Sequence, residues 1–167
     1  MATGARVSNA YPTFPLLWDS PVKTGLTPDG FISTLFVGVL DLNSALLTYC
    51  NAGNPAPVVI SPSTGAKLLD TKPNIPVGIM EDYEYIEQHI TLIEDFTLFL
   101  YNDGLYETTN LHHEPYGQKR MLTRLEACAR HNDEPKKILS TMQEAVESHR
   151  GSALQTDDLL MLTIRMV

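Results

Sequence analysis

Apolar and β-branched residues crowd the run FISTLFVGVLD, which closes on Asp-Leu-Asn, so the pattern predicts a strand over 31–41. ALLTYCNAG (45–53) and APVVISPS (56–63) follow at short intervals, separated by a Gly-Asn-Pro break. Three strands this close in sequence are expected to lie as antiparallel neighbours, because a parallel connection takes about a dozen residues. AKLLDT (66–71) follows the turn at Ser61–Gly65, and the prolines and glycine of KPNIPVGI (72–79) stop any ladder there. EYIEQHITLI (84–93) alternates in part, with Tyr85, Glu87, His89 and Thr91 on one face and Ile86, Gln88, Ile90 and Leu92 on the other. DFTLFLYNDG (95–104) is almost continuously apolar, the mark of a strand covered on both faces.

The period then lengthens. Met121, Leu122, Leu125, Cys128 and Ala129 form one stripe of a helix over 116–132. Ile138, Met142, Ala145 and Val146 form another over 134–151, with Pro135 near its start and Gly151 just past its end. DLLMLTIRMV (158–167) closes the chain as a further buried strand. The order of six strands, two helices and a strand predicts an α+β domain, with helices on a mainly antiparallel sheet or pair of sheets. Residues 1–30 show no sustained period and read as an irregular leader, with Tyr11, Phe14, Leu16, Leu17 and Trp18 as an apolar docking cluster. Residues 31–167 form the domain.

A length of 167 residues suits one domain, and 43% hydrophobic with 19% charged residues is an ordinary globular balance. The net charge of −8 argues against a nucleic-acid partner and against an anionic membrane surface. A phosphate-bearing substrate would therefore need a local cation, either a side-chain cluster or a bound metal. No signal-peptide pattern opens the chain and no run approaches the roughly 18–20 apolar residues of a membrane span, so a cytoplasmic protein is expected. Cys50 and Cys128 are far apart and read as small buried hydrophobes in a reduced compartment.

Two carboxylates stand out by position. Asp103 ends the buried run TLFLYN, and Asp157 stands just before the buried run LLMLTI. Strand ends hold side chains rigidly, which suits ligands of a hard cation. If these strands are antiparallel neighbours, the two carboxylates converge and repel each other unless a cation lies between them. Turn chemistry is the other reading: Asp103-Gly104 is a common turn pair, and Asp157 and Asp158 fall in a helix-to-strand loop. His112-His113 reads as an exposed loop, and Glu81, Asp82 and Glu84 as a solvated one.

The order of several motifs along 31–167 resembles the C-terminal part of SpoIIE/RsbU-like phosphatases of the PPM type. FISTLFVGVLD is similar to the family's F-x-T-L-F-x-G-x-L-D strand, and LTYCNAGNPAP to its L-x-Y-x-N-A-G-H-x-P-P stretch. NIPVGI resembles its L-P-L-G-I loop, and TLFLYNDGLYETTN its L-L-Y-T-D-G-x-x-E block. YGQKRM resembles the F-G-x-x-R-L helix start, and QTDDLLMLTIRMV the closing Q-x-D-D-x-T-L-L-x-x-R strand.

The resemblance implies two packed, mainly antiparallel sheets flanked by helices. It also implies two Mn²⁺ or Mg²⁺ ions at one end of the sheets, with Asp103 and Asp157 at ligand positions and Gly104 and Asp158 beside them. The activity it implies is hydrolysis of phosphoserine or phosphothreonine on a regulatory partner protein, such as an anti-sigma-factor antagonist. The family's G-D-x-x-D strand and D-x-x-G-x-G turn do not occur before Phe31, and Asn54 stands where histidine is usual, near the site. The fold is accordingly expected without its N-terminal part, with at most one weakly held ion and low activity. The alternative is an inactive pseudophosphatase that binds partners. Sheet edges left bare would favour a homodimer.

Overall fold

The structure, a computed structural model, describes residues 32–80, 83–92 and 95–166. The cluster Tyr11, Phe14, Leu16, Leu17 and Trp18 lies outside the described residues, as do Glu81 and Asp82. The strands are β1 (Leu35–Asp41), β2 (Leu46–Ala52), β3 (Val58–Ser61), β4 (Gly65–Leu68), β5 (Gln88–Thr91), β6 (Phe96–Tyr101) and β7 (Met161–Met166). The helices are α1 (Gly104–Glu107), α2 (Gln118–His131) and α3 (Pro135–Arg150).

Two antiparallel sheets result, one in the order β1-β2-β5 and the other β4-β3-β6-β7. Strand β6 shows why they stack. Its Phe96 and Leu98, with Leu100 at their margin, join Leu47, Tyr49, Leu69 and Leu92 in a core between the sheets. Its Phe99 and Tyr101 point the other way and pack with Val58 and Ile60 beneath Met121, Leu125, Ile138 and Met142 of the helices. The continuous apolar run at 96–101 is thus buried on both faces, and the predicted stripes of α2 and α3 are the faces that cover it. Each such fully buried side chain stabilises the fold by roughly 1.5–3 kcal/mol.

One expectation fails. Strand β3 does not lie beside β2; it joins the second sheet, between β4 and β6. Short spacing implies neighbouring strands only when the chain turns within a layer. Here the five residues between Ala52 and Val58 cross from one sheet to the other, a step of about 10 Å. Gly53, at φ +76°, starts the crossing, and Asn51 holds it by accepting from the Asn54 amide at 2.9 Å and donating to the Asn54 carbonyl at 2.8 Å.

Both cysteines are buried and unpaired, as the sequence suggests. Burial pushes the Cys128 thiol from 9.0 up to about 11, and Asp133 adds to the shift. Burial raises the Cys50 thiol as well, with Glu87 contributing. A thiol whose pKa is higher in the folded state leaves stability whole below pH 9 and lowers it as pH climbs toward 11. The urea midpoint is therefore expected to fall between pH 8 and pH 10.5, and to fall less in Cys128→Ala. An equal drop in both proteins would show that Cys128 is not responsible.

Candidate functional site

The register of β6 with β7 sets the geometry of the strand-end carboxylates. Tyr101 lies opposite Met161, and the ladder continues one step further, with the Asn102 amide donating to the Leu160 carbonyl at 3.2 Å. The Asn102 side chain then clamps the incoming strand twice. Its Oδ1 accepts from the Leu160 amide at 3.0 Å, and its Nδ2 donates to the Asp158 carbonyl at 2.7 Å. Asp103 and the Asp157–Asp158 pair are thereby fixed at the same end of the same sheet, 54 residues apart in the chain.

Gly104 completes the contact. A Cβ on Gly104 would fall on the Asp158 carbonyl oxygen, with the carbonyl carbon at 3.2 Å and Asn102 Nδ2 at 3.4 Å. Glycine stands here because the lead into β7 rests directly on its Cα. The same step opens α1, which Asp103 caps through its Oδ1, accepting from the Gly104 amide at 3.0 Å. Asp157 behaves alike, its Oδ1 accepting from the Asp158 amide at 2.8 Å. Both carboxylates are exposed, and their Oδ2 atoms take no hydrogen bond among the described residues.

Asn54 lies in the 53–57 crossing, which delivers the chain to the start of β3, where Val58 lies opposite Phe99 near the end of β6. The Asn54 side-chain amide is turned back onto the chain, donating to the Pro55 carbonyl at 3.1 Å. Gly53 packs against Pro76 of the 72–79 loop, where an added Cβ would meet the ring nitrogen at 3.3 Å, and Ser33 bridges Val77. Parts of five motifs of the sequence, those holding Ser33, Gly53, Pro76, Asp103 and Asp157, therefore lie toward one end of the sandwich.

The donor chemistry suits a hard divalent cation in part. Two exposed carboxylates each keep an oxygen unengaged, which is what such an ion takes. Among the described residues no third acid, histidine or cysteine joins them in a metal-holding group. Two such oxygens could supply part of the shell of one hard cation. His112 is exposed, in a turn organised by Asn110 Oδ1, which accepts from the His112 and Glu114 amides. Asn102 escapes a sequence reading; its only signal is a polar side chain at the end of an apolar strand.

A family described as stage II sporulation protein E (SpoIIE) matches residues 19–167, starting ahead of Phe31. Protein IcfG of Synechocystis is 30% identical over 134 residues, which are 79% of this chain and 20% of IcfG. Phosphoserine phosphatase RsbP of Bacillus subtilis is 27% identical over 118 residues, 68% of this chain and 27% of RsbP. The fold matches the phosphatase domain of SpoIIE from Bacillus subtilis, from crystals presoaked with manganese, at a TM-score of 0.61 and 19% identity. That match covers 80% of this chain and 56% of the SpoIIE domain. The chain thus spans only a small part of the curated relatives it matches.

Proposed function

The chain belongs to the SpoIIE family of phosphatase-type domains, and from that premise we propose that it takes part in hydrolysing phosphoserine or phosphothreonine on a regulatory protein. The observation that carries this reading is the Asn102 clamp, which brings Asp103 and Asp157 to one end of one sheet. Asp103 and Asp157 would hold a Mn²⁺ or Mg²⁺ ion through their unengaged oxygens. When bound, such an ion supplies positive charge for the phosphoryl oxygens and lowers the pKa of its water. The chain's own residues do the positioning. The Gly104 and Asp158 amides orient the two carboxylates, and the Asp158 carbonyl seated on Gly104 keeps the two strand ends in register. RsbP is a phosphoserine phosphatase by name, which supports phosphoserine as the group attacked; the partner we propose is a regulatory protein of the anti-sigma-factor-antagonist kind in the cytoplasm.

The test is Mn²⁺-dependent hydrolysis of p-nitrophenyl phosphate by this chain, compared with Asp103→Asn and Asp157→Asn. An amide keeps the oxygen that accepts from the backbone, so the fold should survive while metal affinity falls. Either substitution is expected to lower turnover by roughly a hundredfold or more. Turnover that is unchanged in both variants would sink the assignment of these aspartates.

A second reading is favoured by the small ligand set. With two carboxylates and no third ligand grouped with them among the described residues, the chain would bind a phosphoprotein without hydrolysing it. Metal-dependent turnover in the same assay excludes it. Association through sheet edges is supported by β7, an edge strand whose inward-facing Leu162 and Ile164 are 51% and 43% exposed. A monomer by light scattering would count against it.

A further inference from the structure

An open groove of about 770 Å³ lies between the start of α2 and the end of α3. Lys119, Arg120, Arg124 and His149 line it together with Thr123 and Ser148, and none of its ten lining residues is an acid. The chain carries 20 acidic and 12 basic residues, so the groove inverts the charge balance of the molecule. Arg120 is fixed in place, its Nη1 donating to the carbonyls of Pro115 at 2.8 Å and Tyr116 at 2.9 Å. Lys119 and Arg124 are exposed and enter no ion pair among the described residues. Glu114, whose charge acts on Arg120 and His149, already accepts a hydrogen bond from Asn110 Nδ2 at 2.9 Å. The His149 ring stands edge-on to Tyr116 with centroids 5.5 Å apart and shares a hydrogen bond of 2.9 Å with the Glu114 carbonyl, which steadies the floor.

The groove is tied to the carboxylate end of the fold. The Gly117 amide, at the mouth of α2, donates to the Tyr106 carbonyl at 2.8 Å, and Tyr106 lies in the single turn of α1 that Asp103 caps. We propose that this groove binds an acidic segment of the protein partner, rich in Asp and Glu. It rests on the phosphoprotein reading above only for the identity of that partner as substrate. A chain of net charge −8 repels an acidic protein in general, so a groove whose Lys119 and Arg124 enter no ion pair among the described residues is where such a segment can approach and be aligned.

Fluorescence anisotropy of a labelled short Glu-rich peptide without phosphate, measured on the full chain, tests this. Binding is expected to weaken steeply as salt rises from about 0.05 M to about 0.3 M, since the Debye length shrinks below the spacing of exposed charges. The double variant Lys119→Glu with Arg124→Glu is expected to bind at least about tenfold more weakly, and Asp157→Asn to bind as the unaltered chain does. If charge reversal disturbs the circular dichroism spectrum, Lys119→Gln with Arg124→Gln replaces it, with a loss in the same direction. The proposal is overturned by no binding, by equal binding in the cation variants, by equal binding of a Gln-rich analogue, or by tighter binding of a single-stranded oligonucleotide. Because the peptide carries no phosphate, failure here leaves the hydrolysis reading standing. Peptide binding without turnover would remove that reading and keep the groove.

Discussion

Gly104→Ala is expected to lower the unfolding free energy by about 3 kcal/mol, at the upper end of what overpacking costs. The added methyl would collide with the Asp158 carbonyl, which is backbone and cannot rotate away. The lead into β7 is also held on three hydrogen bonds by Asn102, so it has little freedom to retreat. Gly151→Ala is the control. Gly151 has φ +58° and ψ −124°, a region glycine alone adopts readily, and nothing within 4 Å of where an added methyl would stand, so backbone strain of roughly 1–3 kcal/mol without any collision is expected there. Urea unfolding of the two variants separates contact from strain. A loss at Gly104 below about 1 kcal/mol would mean that the lead into β7 moves aside freely. Any phosphatase turnover should also fall in Gly104→Ala and persist in Gly151→Ala, since only the first displaces Asp157 relative to Asp103.

Arg165→Leu is expected to cost about 2 kcal/mol, the scale of losing hydrogen bonds made by a charged group that is itself largely buried. Arg165 projects from β7, with its side chain only 11% exposed, and ties three segments together. Its Nη2 donates to Asp95 Oδ1 at 2.8 Å, ahead of β6, and to Asn132 Oδ1 at 2.7 Å, in the α2–α3 connection. Its Nη1 reaches the Asp133 carbonyl at 3.3 Å and the Glu134 carboxylate at 3.6 Å. Leucine would leave the Asn132 Oδ1 and the Asp133 carbonyl without the donor they share. Asp95→Asn should cost less, about 1 kcal/mol, because that carboxylate is 42% exposed and asparagine keeps its left-handed backbone at φ +59°. Thermal or urea midpoints in the reverse order would show that the guanidinium is replaceable and the acid is the anchor.

These sites mark what a one-dimensional reading could and could not reach. The layering was legible because burial on two faces leaves a signature in β6 itself, where apolar residues fill both parities of the strand. The helices were legible for a similar reason, since Met121, Leu125 and Cys128 repeat at the helical period. The sheet membership of β3 was not, because it depends on whether Gly53–Pro57 turns within a layer or crosses between layers, and both paths suit the same residues. Helix α1 was hidden by its length, a single turn with no stripe to detect. Asp103 and Asp157 stood out by position, but Asn102, which holds their two strand ends together, did not. A hydrogen bond between residues 56 and 58 positions apart leaves no local pattern. The basic groove was equally invisible, since its cations come from one helix and its histidine from the next.

The Asn102 clamp also ties the site to the order in which the chain folds. Its bonds to Asp158 and Leu160 close loops of nearly sixty residues, so they cannot form until β7 has been brought back beside the end of β6. A nascent or partly unfolded chain therefore does not hold its two aspartates at one end of one sheet. The exchange rate of the Leu160 amide then becomes a gauge of readiness: where that proton is protected the strand end is closed, and where it frays the site has come apart before the fold has.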